Sequence, residues 1–145
     1  MPMNFAIILL LNRAHAKYLT DSAKTTQEDT TVIINLEADD IDGDTVTFSL
    51  KDSPSKGTIS LTGNKVTYTP NPNYFGSDSF SYQANDGSLN SNIATMVITV
   101  DAVNDAPTVE ALSSTIMEDN TISLQLIGSD IENSDLSFTI VKTPD

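Results

Sequence analysis

The sequence predicts an all-β fold, an antiparallel sandwich or barrel, from its composition and its periodicity. Ser and Thr account for 34 of the 145 residues, and 15 of the 20 acidic residues are Asp. Thr favours strands, whereas Ser and Asp favour turns and are poor residues for a helix interior. From Thr30 onward, apolar and polar residues alternate with the period of a strand. Short strands at close spacing, with no helical period between them, are typical of antiparallel sandwiches and barrels.

Six alternating segments follow one another along the chain, and we predict six or seven short strands in all. Short stretches that contain Gly, Pro, Asn or Asp separate them, and these residues supply turn dihedral angles or block further pairing. The apolar residues that we expect to face a shared core are Val32, Ile34, Leu36 and Ala38; Val46, Phe48 and Leu50; Ile59 and Leu61; Val66 and Tyr68; Phe80, Tyr82 and Ala84; and Ala94, Met96, Ile98 and Val100.

The charge and the missing residue types exclude several classes of function. The chain has 7 Lys and Arg against 20 Asp and Glu, a net charge of −13, one His and no Cys. Without Cys there is no disulfide, no thiolate catalysis and no Cys-ligated metal. Nucleic acids and anionic lipids attract basic surfaces, so we expect no nucleic-acid partner. Such an acidic chain favours a hard cation such as Ca²⁺ as its inorganic partner.

The first apolar run is too short to cross a membrane. It covers residues 5–11, whereas a membrane-spanning helix needs about 20 residues, and we therefore expect no membrane insertion. Three interpretations of this N-terminal segment, residues 1–24, stay open. It is a leader of uncertain order, or its apolar run belongs to a strand of a truncated preceding unit, or it is a secretory signal, for which Ala14-His15-Ala16 has the small-x-small form of a cleavage site.

An internal repeat divides the chain. A shift of 90 residues places residues 25–54 over residues 115–144 without a gap, and 9 of the 30 positions are identical. Such a self-match in register indicates a tandem array. We predict a leader over residues 1–24, a first repeat over 25–103, and a linker with the first strands of a truncated second repeat over 104–145. Because half a sandwich leaves its edges uncovered, we expect a fragment of a longer protein whose residues 113–145 are the least stable part.

Several motifs together point to a family. They are Glu28-Asp29-Thr30, Asp40-Ile41-Asp42-Gly43-Asp44, the run from Tyr68 to Phe80, Ala84-Asn85-Asp86-Gly87 and Val103-Asn104-Asp105-Ala106-Pro107. Over residues 25–145 the chain resembles the bacterial cadherin-like tandem-95 repeats, which are Ig-like units of very large secreted and surface-attached adhesins. The resemblance implies an Ig/cadherin-like β-sandwich repeat and an extracellular or cell-surface location. It also implies neighbouring repeats, and cell-surface or matrix ligands, as partners.

A short acidic loop is a candidate calcium site. Asp40, Asp42 and Asp44 place three carboxylates within five residues, next to a Gly that allows a tight turn. Calcium takes six to eight oxygen ligands, and such a loop offers several at once. The spacing is not that of an EF-hand, and a plain turn with solvated acids is the alternative interpretation. The second copy keeps Asp130 and Glu132 at the first two positions, so we expect weaker binding there.

The segment between the repeats is a second candidate. Asp101, Asn104 and Asp105 resemble the cadherin linker, in which Asp and Asn side chains hold calcium between domains. The resemblance implies further ligands in both repeats, namely Glu28 and Asp86 in the first and Asp130 and Glu132 in the second. A cadherin linker has a second Asn where Ala106 stands, and a turn-rich linker stiffened by Pro107 is the alternative.

The predicted function is that of a calcium-stiffened extracellular spacer or adhesion repeat. The alternative is a carbohydrate- or protein-binding accessory module without metal dependence. We expect no enzymatic activity, because phosphate-binding Gly loops and nucleophile motifs are absent from the sequence. Tyr74 resembles the tyrosine corner of Ig-like folds, in which a Tyr hydroxyl binds nearby backbone, and we interpret it as structural.

Overall fold

The chain forms strands and turns, and it divides into two compact units. The computed structural model describes residues 19–38 and 43–141. The first unit ends at Asp101 and the second begins at Ala102, whereas we expected the boundary after Val103. The described residues contain no helix, so none of them forms a helix long and apolar enough to cross a membrane.

The first unit is a sandwich of two sheets, which confirms the all-β Ig-like prediction. One sheet has the strand order β1-β7-β6-β3 and the other the order β2-β5-β4. All neighbouring strands are antiparallel except β1 and β7, which are parallel. The strands are β1 (Ser22–Gln27), β2 (Val32–Asn35), β3 (Thr47–Asp52), β4 (Gly57–Thr62), β5 (Lys65–Pro70), β6 (Gly76–Asn85) and β7 (Asn90–Asp101).

The core lies between the two sheets and consists of the alternate residues that the sequence indicated. Burial of each large apolar side chain contributes about 1.5–3 kcal/mol, which is why the alternation fixes the inward face of every strand. Residues near the open edges, such as Phe48 and Ile59, are only partly buried. The predicted residues that are fully buried are Ile34, Leu36, Val66, Tyr68, Phe80, Tyr82, Ala84, Ala94, Met96, Ile98 and Val100.

Strand β1 was not predicted, and it moves the start of the first unit. We expected the repeat to begin at Thr25, but β1 begins at Ser22, and Leu19 is already buried in the core. Leu19 is held by Asn92, which accepts its N–H at 2.6 Å and donates to its carbonyl oxygen at 2.9 Å. The sequence of β1 lacks apolar alternation because it is an edge strand in which only Thr26 is buried.

The second unit contains much less regular structure. Its described residues form one small ladder, between β8 (Thr108–Val109) and β9 (Gly128–Ser129). We expected strands around Ile122 and Phe138, but both residues lie outside strands and are exposed. In the first unit the equivalent strands β2 and β3 pair with β5 and β6, and the described second unit has no such partners.

Local turn geometry nevertheless repeats between the units. Asp29 and Asp119, which are 90 residues apart, both have positive φ, at 55° and 61°. The residue after each closes a turn, with an N···O distance of 3.3 Å at Thr30 and 3.4 Å at Asn120. The repeat is therefore visible in backbone conformation even where the strands have not formed.

Candidate functional site

The strand directions of the first unit place the predicted ligands at two opposite ends. Glu28 follows the end of β1, and its N–H donates to the carbonyl oxygen of Asp101 at 2.9 Å. Asp86 lies beyond Asn85, which pairs with Asn90 at the other end of β6 and β7. β6 has ten residues, so at about 3.3 Å per residue the two ends are about 30 Å apart. The structure therefore does not bring Asp86 and Glu28 together in one site.

Asp86 has a structural partner set of its own. Its Oδ1 accepts hydrogen bonds from the N–H groups of Ser88 and Leu89, both at 2.7 Å. These bonds, that from Leu89 foremost, lower the pKa of Asp86 because they stabilise the carboxylate. Gly87 has a φ of 97°, a conformation that suits Gly, and completes the turn. Asp86 thus holds the β6–β7 turn as an anion.

Glu28 is the most deeply buried of the described candidate ligands. It is 3% exposed, in the turn that follows β1. The next residue, Asp29, accepts a hydrogen bond from the N–H of Asn73 at 3.0 Å. A carboxylate in such a place needs a cation or hydrogen-bond donors to offset its lost hydration. Glu28 and Asp101 therefore put acidic groups where the chain leaves the first unit.

The acidic loop is described only in part. Asp40 and Asp42 lie outside the described residues, so their role as ligands stays a prediction. Asp44 is exposed and follows Gly43, which has a φ of 81°. The equivalent of Gly43 in the second unit is Asn133, which also has a positive φ of 58°. A positive φ therefore recurs at this position in both copies.

Within the second unit, the linker and the acidic loop meet. The N–H of Asp105 donates to Oε2 of Glu132 at 3.1 Å, although the two residues are 27 positions apart. A carboxylate oxygen of Asp105 lies within 4.8 Å of one of Glu132, and both residues are half-buried. Oε1 of Glu132 is buried and has no hydrogen-bond partner among the described residues. Two carboxylates this close repel each other unless a cation or a proton lies between them.

The neighbours of this pair are oriented by hydrogen bonds. Asp130 accepts at Oδ1 from the N–H of Ser134 at 3.0 Å, which leaves its second oxygen for other contacts. Asn104 donates from Nδ2 to the carbonyl oxygen of Asp105 at 2.8 Å, so its side-chain oxygen points away from that bond. Calcium ligands lie about 2.3–2.6 Å from the ion, so oxygens up to about 5 Å apart can share one ion. The donor set of this unit fits a hard cation.

One buried carboxylate was missed by the sequence argument. Asp78 is 6% exposed and accepts four hydrogen bonds at its two oxygens. The donors are the N–H groups of Ser55 (3.0 Å), Lys56 (2.9 Å) and Ser79 (2.9 Å), and the hydroxyl of Tyr68 (3.0 Å). Its position two residues before Phe80, on the inward face of β6, was the signal that could have found it.

The contacts of Asp78 are structural. Burial and the neighbouring Asp78 carboxylate raise the pKa of Tyr68, in that order of size, so Tyr68 stays neutral and donates. The two N–H groups from the β3–β4 loop fix that loop against β6. Asp78 therefore ties the two sheets together, since β5 carries Tyr68 and β6 carries Asp78.

Tyr74 has the structural role that we predicted. Its hydroxyl donates to the carbonyl oxygen of Ser77 at 2.7 Å, and Lys56 lies over its ring with Nζ at 5.9 Å from the centroid. Gly76, with a φ of 125°, lets the chain turn beneath the ring into β6.

Comparison with known proteins gives matches in sequence and in structure. A family model described as a bacterial Ig domain matches residues 13–99. Integrin beta-like protein A of Dictyostelium discoideum is 33% identical over an aligned length of 137 residues, and the match covers 80% of this chain and 7% of that protein. Integrin beta-like protein B of the same organism is 33% identical over 66 residues, 46% of this chain and 3% of that protein. The chain thus spans less than a tenth of the length of either relative.

Two solved structures also match. An endo-fucoidan hydrolase of glycoside hydrolase family 107 aligns with a TM-score of 0.41 and 22% identity, over 61% of this chain and 13% of the enzyme chain. A variant of that enzyme aligns with a TM-score of 0.43 and 21% identity, over 65% and 15%.

Proposed function

Because the chain belongs to the bacterial Ig domain family, we propose that it is a spacer repeat of an extracellular adhesion-type protein. Domains of this family are generally non-catalytic, and the integrin beta-like names of the curated relatives support an adhesion-type role at a cell surface. The tandem repeat supports a role in spacing, because each unit adds length between whatever lies before and after it. Neighbouring repeats of the same chain are then its nearest partners.

The proposal includes calcium as the ion that stiffens the array. One observation carries this part: within the second unit, Asp105 of the linker lies against Glu132 of the acidic loop. One oxygen of Glu132 is buried and has no hydrogen-bond partner in the described part of the chain. Asp130 adds a nearby carboxylate. A bound Ca²⁺ removes the repulsion between these groups and fixes the linker to the loop. Asn104, in the same unit, is proposed as a further ligand of this ion, whereas Glu28 and Asp101 belong to the first unit and their role as ligands stays a prediction.

Stiffening follows from the place of these residues in the chain. A linker that is held to the unit after it cannot rotate freely, so the direction of the chain is set where it enters that unit. Extracellular modules bind calcium with Kd of about 0.1–1 mM. At a tenfold excess of calcium over Kd, one site adds about 1.4 kcal/mol to stability. The greater effect is on the freedom of the linker.

We propose no catalytic role. The two acids that lie nearest to a polar hollow in the first unit are Asp52 and Asp78. Asp78 is occupied by four donors, and Asp52 accepts the hydroxyl of Ser81 at 2.5 Å. Neither is placed to act as a general acid or nucleophile, because each is engaged in a structural contact.

Isothermal titration calorimetry of the whole chain with CaCl₂ tests the calcium site. We expect heat of binding with CaCl₂ that is absent with MgCl₂ at the same concentration, since Mg²⁺ demands a tighter octahedral site. Glu132→Gln is expected to weaken binding by at least about tenfold, because it removes a charged ligand. Glu118→Gln is the matched control, an exposed acid of the same unit that leaves the pair intact.

Two outcomes contradict the calcium proposal. One is the absence of calcium binding at millimolar concentration. The other is an equal loss of affinity in Glu132→Gln and Glu118→Gln, which would mean that the ion responds to net charge and not to this pair. Small-angle X-ray scattering with calcium and with EDTA tests the stiffening itself, and a maximum dimension that does not change rejects it.

A further inference from the structure

The outer edge of β4 has no partner strand among the described residues of the first unit. Within this part of the chain β4 pairs with β5 alone, so one row of its backbone groups faces away from the sheet. The bond from the N–H of Asn71 to the carbonyl oxygen of Lys56, at 2.8 Å, extends the β4–β5 ladder. Because hydrogen-bonded pairs recur every second residue, the even-numbered residues of β4 bond to β5. The N–H and C=O groups of Gly57, Ile59 and Leu61 therefore point outward.

The other three edges carry features that discourage pairing. β3 has a register shift between Leu50 and Asp52 and carries the charges of Lys51 and Asp52. β1 carries Lys24, and β2 is only four residues long. Charges, bulges and short strands are the usual means by which proteins protect an edge from a second chain.

β4 has none of this protection. It is six residues long, its register with β5 is unbroken from Gly57 to Thr62, and its sequence has neither a charge nor a proline. This is unusual in a chain with a net charge of −13. The nearest charges along the chain are Lys56 and Lys65, so no acid lies next to this edge in sequence.

We propose that β4 pairs with β4 of a second copy of this chain, antiparallel about a two-fold axis, to join the two three-stranded sheets. The side chains suit such self-pairing. Thr58, Ser60 and Thr62 are exposed on the outer face, so hydroxyls meet hydroxyls across the axis. Ile59 and Leu61 are half-buried on the inner face, and pairing extends their apolar row. A charged partner peptide has no complementary group on the strand itself.

The pairing links repeats side by side. It uses only the first unit and none of the candidate calcium ligands, so it is independent of the metal proposal. Each copy is strongly acidic, so two copies repel each other. β4 carries no charge, so the repulsion between two copies is weakest where their β4 strands meet. We therefore expect a reversible dimer that forms at high local concentration, as on a surface where many copies lie together.

Sedimentation equilibrium of the whole chain in EDTA, at physiological salt, tests the pairing. Ser60→Lys puts two positive charges near each other across the axis. Like charges in cross-strand pairs repel, so we expect this variant to weaken the dimer about fivefold or more. Thr31→Lys is the matched control: it also replaces an exposed hydroxyl by a Lys, but beside β2, away from the β4 edge. Ser60→Glu alone weakens the dimer in the same way, and an equal mixture of Ser60→Lys and Ser60→Glu restores it.

Each outcome decides the matter. A wild-type dimer that is weakened by Ser60→Lys, spared by Thr31→Lys and restored by the Lys/Glu mixture supports the pairing. A wild-type chain that stays monomeric at millimolar concentration overturns it. A dimer that responds equally to Ser60→Lys and Thr31→Lys, or that the mixture does not restore, overturns it as well, since another surface then mediates association. Circular dichroism of each variant establishes that it is folded.

Discussion

Asp78→Asn removes one charge and one acceptor from the interior of the first unit, and the contacts determine the expected cost. Ser55 and Ser79 donate to Oδ1 of Asp78, whereas Lys56 and Tyr68 donate to Oδ2. An Asn at this position keeps one acceptor oxygen and turns the other into a donor. If its NH₂ takes the place of Oδ2, the Tyr68 hydroxyl can rotate to accept, but the N–H of Lys56 then faces another donor.

The alternative orientation of that Asn is worse, because two backbone N–H groups then face its NH₂. A hydrogen bond to a charged group is worth about 1.5–3 kcal/mol, and a buried donor left without a partner costs about 1–3 kcal/mol. We therefore expect Asp78→Asn to lower the free energy of unfolding by about 2–4 kcal/mol. Tyr68→Phe leaves three donors on the carboxylate and is expected to cost less, about 1–2 kcal/mol.

Equilibrium urea unfolding followed by circular dichroism measures both values. Glu37→Gln is the control, an exposed acid of the first unit just after β2, for which we expect a change within about 0.5 kcal/mol. If Asp78→Asn unfolds with the same midpoint as Glu37→Gln, the four contacts at Asp78 do not stabilise the sandwich and this account is wrong.

Three further predictions concern the first unit. Gly57→Ala places a Cβ 2.6 Å from both the carbonyl oxygen of Thr69 and the ring of Tyr68, so thermal unfolding should show a loss of about 1–3 kcal/mol from overpacking. Folding raises the pKa of Tyr68 above 10.0, so the hydroxyl ionises at a lower pH in the unfolded chain than in the folded one. The stability that Tyr68 contributes below pH 10 should therefore decline as the pH rises further. Tyr68→Phe should lose this part of the alkaline response. Asp86→Ala should lower the melting temperature at neutral pH, because the N–H groups of Ser88 and Leu89 lose their acceptor. Since folding lowers the pKa of Asp86, the difference in melting temperature between this variant and the wild type should shrink as the pH falls through that pKa. A difference that stays the same in acid would contradict this account.

The strands of the first unit were predictable because burial on one face imposes a period of two. Residues such as Ile34 and Ile98 alternate with polar neighbours for this reason, and the structure confirms the six predicted strands. β1 has no such signal, since it lies at an edge and pairs in parallel with a strand 74 residues away. In the second unit the same alternation occurs around Ile122, but without partner strands among the described residues it forms no sheet. Apolar alternation thus indicates that a segment can form a strand, but whether it does depends on a partner strand.

The candidate site was less predictable. The sequence predicted acidic ligands near the linker. That Glu28 and Asp86 lie at opposite ends of β6 and β7 becomes evident only when the strand directions are known. The contact between Asp105 and Glu132 depends on how the loop folds back, which no local pattern specifies. Asp78 was overlooked because a carboxylate on an inward face contradicts the usual preference of charged residues for solvent.

The parallel pairing of β1 with β7 affects how the first unit responds to tension. β1 is the first and β7 the last described strand of this unit, and the two run in the same direction through six paired positions. Pulling on the two termini drags these neighbours past each other along their length, so every bond between them must stretch in concert. In a hairpin that is pulled from its open end, the hydrogen bonds between the strands instead break one after another. The first unit therefore resists extension at its first and last described strands.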